Sequence, residues 1–197
     1  MNQDQLQALL TKVQQGALAV PDALHRLRTL PYENLGFASL DHHRALRQGF
    51  PEVIFCEGKT VSQVVAIAKT LLRKNNALLA TRVEPSVARA LLRVSKRAVY
   101  HEAARVVAIA PPKLKRRGSV LIVTAGTADI PVAEEARVTA DIMGSKTDTL
   151  YDVGVAGLHR LLGQQERLHD ARALVVVAGM DGVLPSVVGG LVRQPVI

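Results

Sequence analysis

The sequence predicts an α/β protein in which a three-layer, parallel-sheet domain over residues 119–197 follows a basic α+β domain over residues 1–110. Three observations predict it. Beyond residue 119 near-continuous apolar runs alternate with amphipathic ones, the pattern of strands buried on both faces and joined by crossover helices. The stretch "APPKLKRRGS" (110–119) sets two prolines, four cations and a glycine side by side, which neither a helix nor a strand accommodates well, so residues 111–118 read as a linker. Charge divides at the same place: 19 Lys+Arg against 8 Asp+Glu up to residue 118, and 6 against 9 after it, within a net charge of +8.

Taken in order, residues 2–16 and 21–29 form two short helices, the second opening at Pro21-Asp22 because proline is tolerated in the first helical turn. A loop follows and leads into the strand "EVIFC" (52–56). Val64, Ile67, Ala68, Leu71 and Leu72 recur at helical spacing in "VSQVVAIAKTLLRKN". "ALLATRV" (77–83) is a strand, "EPSVARALLRV" (84–94) a helix, and residues 106–110 a strand. In the second domain "VLIVTAG" (120–126), "TDTLYDV" (147–153) and "ALVVVAG" (173–179) read as three parallel strands with right-handed crossovers. The helices between and after them are "IPVAEEARVTADIMG", "GLHRLLGQQERLHDA" and "LPSVVGGLV".

Composition narrows the function. Apolar residues make up 48% of the chain, enough for a core built from Val, Leu, Ala and Ile, since aromatics are 3% and Trp is absent. No run of 18 apolar residues is present, so no membrane partner is expected. The N-terminus lacks the basic-then-apolar order of a signal peptide, and a single cysteine excludes an internal disulfide; a cytoplasmic location is expected. A basic half suggests nucleic acid or a phosphorylated small molecule. The stacking platforms of single-strand binders and the patterns of zinc fingers and recognition helices are missing, which argues against nucleic acid.

In open parallel sheets ligands sit beyond the carboxyl ends of the strands. Gly126, Thr127 and Asp129 lie at one such end, and Gly179, Met180, Asp181 and Gly182 at another, each just before a helix N-terminus whose backbone N–H groups favour an anion.

The stretches "TAGTADIPVAEEA", "DVGVAGLHRLL" and "VVVAGMDGVLPSVVGGLV", with "LDHHRALRQGFPEVIFCEGKT" upstream, together resemble the LarB family, and the second domain is similar to the PurE-like carboxylases of purine biosynthesis. The resemblance runs from about Leu40 to Ile197. It implies carboxylation of nicotinic acid adenine dinucleotide in making the nickel-pincer cofactor of lactate racemase. CO2 or bicarbonate is then the co-substrate, no cofactor is bound covalently, and a Mg2+ requirement is left open. The implied chemistry is covalent: a cysteine thiolate adds to the electron-poor pyridinium ring, and the resulting enamine attacks CO2. Loss of the ring proton and departure of the thiolate restore aromaticity, and phosphoanhydride cleavage releases AMP. The resemblance further implies a homo-oligomer. An aminoimidazole ribotide carboxylase and a non-catalytic nucleotide-binding or assembly protein are the alternatives.

Each candidate residue carries two readings. Asp129 accepts from ribose hydroxyls or orients a neighbouring turn, or else caps the following helix. Thr127 donates to a phosphate or caps; beside it stands Ala128, where relatives carry Ser. Asp181, the candidate catalytic residue as proton acceptor or orienting acid, stands where Glu is common in the family, or is a turn residue between glycines. His159 and Arg160 reach a phosphate or lie on a solvated helix face. Gly179, Met180, Gly182 and Pro185 complete the second loop. Lys146 should lie at the strand end opposite the site. In the first domain Arg47 and Lys59, with Arg44 and Glu52, either clamp a dinucleotide's pyrophosphate or pin their own loop. Cys56 lies in the apolar run "VIFC", where a thiol is ordinarily inert packing. His42-His43 lacks further ligand spacing, so no metal site is expected. "RQPVI" looks like the opening of a fourth strand, and in the family the attacking cysteine lies beyond this point. The chain is therefore expected to be a fragment that binds nucleotide without carboxylating it, and Cys56 is not expected to substitute.

Overall fold

The computed structural model describes residues 3–27 and 32–197, which form two compact units. The first comprises residues 1–99 and 107–110, the second residues 100–106 and 111–197. The first unit opens with α1 (Gln3–Gln14) and α2 (Val20–Leu27), as the amphipathic spacing predicts; the end of the second expected helix falls at residues 28–29, outside the described residues. Next come β1 (Tyr32–Asn34) and β2 (Ser39–Asp41), an antiparallel hairpin, and α3 (Arg44–Gln48). β2 and α3 fall where the sequence predicts a loop, being short and polar, and β1 is too short to give a periodic signal. The hairpin turn is made by Asn34, whose Oδ1 accepts the Gly36 N–H at 2.7 Å.

Then follow β3 (Ile54–Phe55), α4 (Val61–Lys74), β4 (Leu78–Thr81) and α5 (Pro85–Val94). A capping box starts α4: Thr60 Oγ1 accepts the Gln63 N–H at 3.3 Å and Gln63 Oε1 accepts the Thr60 N–H at 2.9 Å. Its apolar stripe is buried at Val64, Ile67, Ala68 and Leu71, whereas Leu72 is only half-buried. β5 (Val99–His101) and β6 (Val106–Ile109) complete a mixed sheet of order β3-β4-β6-β5, with β3 parallel and β6 antiparallel to β4. This is the expected α+β arrangement, with β5 the strand that periodicity missed.

In the second unit β7 (Arg117–Thr124) begins inside the stretch read as linker, because Gly118 takes φ +63° and lets the chain enter the sheet through an irregular register. A single 3-10 turn over Thr127–Asp129 leads into α6 (Ile130–Ile142), which is followed by β8 (Ser145–Leu150). The second crossover is two short helices, α7 (Leu158–Leu162) and α8 (Gln165–Asp170), broken at Gly163, where one continuous helix was expected. β9 (Ala173–Val177) and α9 (Val183–Leu191) follow.

β7 is central, with β8 and β9 both parallel to it in the order β8-β7-β9. The chain beyond α9 returns to the outer edge of β9: Leu174 bridges Val196 in parallel, and the Val176 N–H donates to the Ile197 carbonyl at 2.8 Å. Leu121 and Val123 pack with Leu161, Leu168, Leu184 and Val188 on one face of the sheet. Ile122, fully buried, alternates to the other face, where α6 buries Ala133, Val138 and Ile142. The three-layer parallel α/β architecture is thus present.

Two glycines of this unit respond oppositely to a methyl group. A Cβ on Gly154 would lie 2.7 Å from the Ala125 carbonyl oxygen, a backbone atom that cannot step aside, while one on Gly189 in α9 meets nothing within 4 Å. Gly154→Ala is expected to lower unfolding stability by about 1–3 kcal/mol, the usual cost of overpacking. Gly189→Ala is expected to raise it by roughly 0.5–1 kcal/mol through helix propensity. Denaturant titration of the two variants checks both signs.

Candidate functional site

Thr124 ends β7 fully buried, and its partners set the positions of both neighbouring loops. Its Oγ1 accepts the Asp152 N–H at 3.0 Å, its carbonyl accepts the Val153 N–H at 3.0 Å, and the next N–H, of Ala125, donates to the Val177 carbonyl at 3.0 Å. Three strand ends are thereby stitched at one level. Gly154 then brings the β8 loop directly against Ala125. The chain leaves β7 toward β8 on one side and later crosses to β9 on the other. The ends of β7 and β9 therefore flank the crevice where such sheets take ligands.

Asp129 stands in that crevice. Its Oδ2 accepts the Gly126 N–H at 2.9 Å, and its Oδ1 is 3.4 Å from where a Gly179 Cβ would stand. The expected cap of α6 is not what it makes: the side chain forms no capping hydrogen bond to that helix, and its backbone is already helical. It turns back instead to satisfy the N–H that starts the 3-10 turn, as an acid at the third position of a first turn does. One carboxylate oxygen is spent locally and the other faces the β9 loop.

That loop reverses sharply. Asp181 (φ +68°) and Gly182 (φ +55°) are consecutive left-handed residues, a conformation that Asp-Gly tolerates best. Met180 is 93% exposed, and Pro185 sits half-buried in the first turn of α9. Thr127, Asp181 and His159 are exposed, and their side chains have no hydrogen-bond or ion-pair partner among the described residues. Arg160 folds over Gly157 and pairs through Nη1 with Asp152 Oδ2 at 2.7 Å. Both partners of this pair are about half exposed, so it is worth little energetically and Arg160 is free to exchange it for a ligand anion. Lys146, the second residue of β8, stands at the opposite end of the strands.

The sequence reading missed a polar lock beside these loops. Tyr151, immediately after β8, donates to Glu134 Oε1 at 2.5 Å, and Arg137 grips both oxygens of Glu134 at 2.7 and 2.9 Å. Arg137 holds the Glu134 carboxyl below its ordinary value, against the opposing effect of burial. Burial, then the bond to Glu134, pushes the Tyr151 phenol up to about 12. The three-residue spacing of Glu134 and Arg137 on a helix was the available signal.

In the first unit the signature residues have local partners. Arg47 Nη2 pairs with Asp41 Oδ2 at 2.7 Å and its Nη1 lies 3.2 Å from His43 Nδ1, while Glu52 Oε2 accepts the Asp41 N–H at 2.7 Å. Arg47 thereby holds the Asp41 carboxyl below its ordinary value of 3.8. Lys59 donates to the Phe55 carbonyl at 2.7 Å and lies 5.9 Å from that ring's centre. Cys56 is 4% exposed, and burial pushes its thiol up to about 11. His42 is buried with Nε2 3.1 Å from Glu33 Oε2, and burial, then Lys74, lowers its pKa. Among the described residues no group of three or more His, Cys, Asp or Glu is placed to hold a metal, and no helix is long and apolar enough to cross a membrane.

The second unit is thus a parallel sheet covered by helices on both faces, with glycine-rich, acid-bearing loops at its strand ends. Residues 32–111 match the family model of the LarB/PurE-like N-terminal domain. The chain is also 34% identical over 206 residues to the uncharacterized protein MJ0165 of Methanocaldococcus jannaschii, a match covering 98% of this chain and 79% of that protein. The chain belongs to the LarB family, a carboxylase-related class whose second domain is PurE-like.

The Glu134 lock sets a pH dependence. Because the Glu134 carboxyl titrates lower in the folded chain, its contribution to stability is complete above about pH 4.5 and fades as pH falls through the lower folded value. The Tyr151 phenol titrates higher in the fold, so its contribution is intact below pH 10 and lost toward about 12. Denaturation across pH should show both limbs flattened in Glu134→Gln; limbs as steep as in the parent chain would discount the lock.

Proposed function

We propose that this chain binds nicotinic acid adenine dinucleotide at the β7–β9 crevice for carboxylation of the pyridinium ring with release of AMP, within nickel-pincer cofactor synthesis, the ring-activating thiolate being supplied from outside these residues. The observation that carries this reading is Asp129, which the sheet topology sets between two strand ends with Oδ1 directed toward Gly179. A carboxylate so held accepts hydrogen bonds from ribose hydroxyls. Thr127 and the first-turn N–H groups beyond Gly126 supply donors to a phosphate, and Arg160 a cation. The Gly179, Met180, Asp181, Gly182 and Pro185 loop closes over the ring, and Asp181 takes the proton lost when CO2 adds. His159, exposed at the start of α7, is a further phosphate donor. The match of residues 32–111 to the LarB N-terminal domain favours the dinucleotide over an aminoimidazole ribotide.

Ring activation needs a thiolate. Cys56 does not supply it in this reading, since a buried thiol pushed to about 11 stays protonated at neutral pH. CO2 or bicarbonate is the co-substrate and the protein assembles as a homo-oligomer, which light scattering over a concentration series tests. If Arg47 and Lys59 grip the pyrophosphate, alanine at either position weakens dinucleotide more than mononucleotide; equal losses assign them to their local bonds.

Calorimetry with nicotinic acid adenine dinucleotide is expected to show binding weakened roughly tenfold to a hundredfold in Asp129→Asn, the range for a charge-assisted hydrogen bond. Unchanged affinity would remove Asp129 from the site. Binding of aminoimidazole ribotide in place of the dinucleotide would move the protein to the purine branch, and no binding of either would favour an assembly role. In mass detection of dicarboxylated mononucleotide with bicarbonate present, product that vanishes in Cys56→Ser would make Cys56 the nucleophile.

A further inference from the structure

The first unit holds a cleft of about 630 Å3 lined by Leu9, His25, Arg26, Glu33, Arg73 and Lys74, among others, and no step of the proposed reaction uses it. Its volume is that of a small-molecule site, well beyond a lone ion. Its lining sets Arg26, Arg73, Lys74 and His25 against one carboxylate, Glu33.

That carboxylate is already committed. Glu33 Oε1 accepts from Arg73 at 3.0 Å, while its Oε2 lies 3.2 Å from Lys74 Nζ and 3.1 Å from His42 Nε2. Burial opposes the charge on Glu33, but the Lys74 and His42 bonds outweigh it and keep the group ionised. Glu33 therefore orients two cations without neutralising the cleft. Among the described residues Arg73 bonds through Nη2 alone, to Glu33 and to Thr70 Oγ1 at 3.2 Å, leaving Nε and Nη1 for another acceptor. Arg26, in the last turn of α2, makes no hydrogen bond or ion pair among the described residues. Leu9, 6% exposed, provides an apolar wall. Guanidinium groups with unspent donors beside an apolar wall suit a phosphate carried on an apolar body.

We propose that this cleft is a second binding site, for a small phosphate ester of nucleoside monophosphate size. Its phosphate lies against Arg26 and Arg73 and its body against Leu9. The proposal does not depend on the strand-end site of the second unit.

The test is calorimetric titration of the full chain with AMP and, separately, with inorganic phosphate. AMP should bind more tightly than phosphate. Arg26→Gln and Arg73→Gln should each weaken AMP roughly tenfold or more, the scale of one charge-assisted hydrogen bond. Asp129→Asn should leave this AMP site intact, which separates it from the reading of the strand ends. Circular dichroism monitors the fold. Arg26, exposed and without a partner among the described residues, keeps the test decisive even if Arg73→Gln loosens the Glu33 cluster. AMP affinity unchanged in Arg26→Gln, AMP binding lost in Asp129→Asn, or phosphate binding as tightly as AMP would each overturn the proposal.

Discussion

The second unit depends on the burial of one strand. β7 is hydrogen-bonded on both edges and covered on both faces, so the side chains of Leu121, Ile122 and Val123 have nowhere to move and the backbone cannot slide without exposing them. Its last residue, Thr124, inherits that rigidity and passes it on through two hydrogen bonds to the loop after β8, while the next N–H, of Ala125, bonds the end of β9. Such a strand end offers fixed backbone groups at a point where the connections diverge, which is the physical reason ligands gather there. A polar residue at the buried end is essential to this: an aliphatic side chain would fill the space but leave the Asp152 N–H without its acceptor.

Close approach is then bought with glycine. Gly154 admits the Ala125 carbonyl, and Gly179 admits the Asp129 carboxylate. Where glycine is not used, the chain accepts left-handed backbone at Asp152 and Asp181, residue types that bear it at modest cost. Mobility in these loops is limited from outside by Tyr151, Glu134 and Arg137, a set in which every charge has its counter-charge and the phenol its acceptor. Thr127, His159 and Asp181 are exposed and have no side-chain partner among the described residues, whereas this lock is internally paired.

Much of this was legible in sequence because parallel strands buried on both faces announce themselves as apolar runs: "VLIVT" and "ALVVV" lie where expected. β8 was read two to three residues late. As an edge strand with one solvated face, its "SKTDTL" alternates in burial and carries little apolar signal, whereas Leu150 to Val153 carry more. The break between α7 and α8 at Gly163 was hidden because both pieces share one apolar stripe, with Leu161 and Leu168 in the same core. The direction of the Asp129 side chain was not legible, since capping forward and bonding backward use the same residue at the same position. Gly154 looked like any glycine; only the proximity of a strand two elements earlier gives it meaning.

The basic charge of the first unit shows why counting cations in a sequence overstates what a ligand can find. Arg47, the cation most easily read as a clamp, is bound by Asp41, and Glu52 secures the same residue from the other side. Lys59 closes onto its own strand. These residues fix the signature loop, and any ligand drawing on them must first replace bonds already made, at a cost comparable to the bonds it gains. Arg26 and the outer nitrogens of Arg73 carry no such debt. Among the residues lining the cleft the one carboxylate, Glu33, is already taken up by donors, so an incoming anion meets Arg26 without displacing a partner seen among the described residues. Affinity for phosphate in this unit is therefore governed less by how many cations the chain carries than by which of them the fold has left unspent.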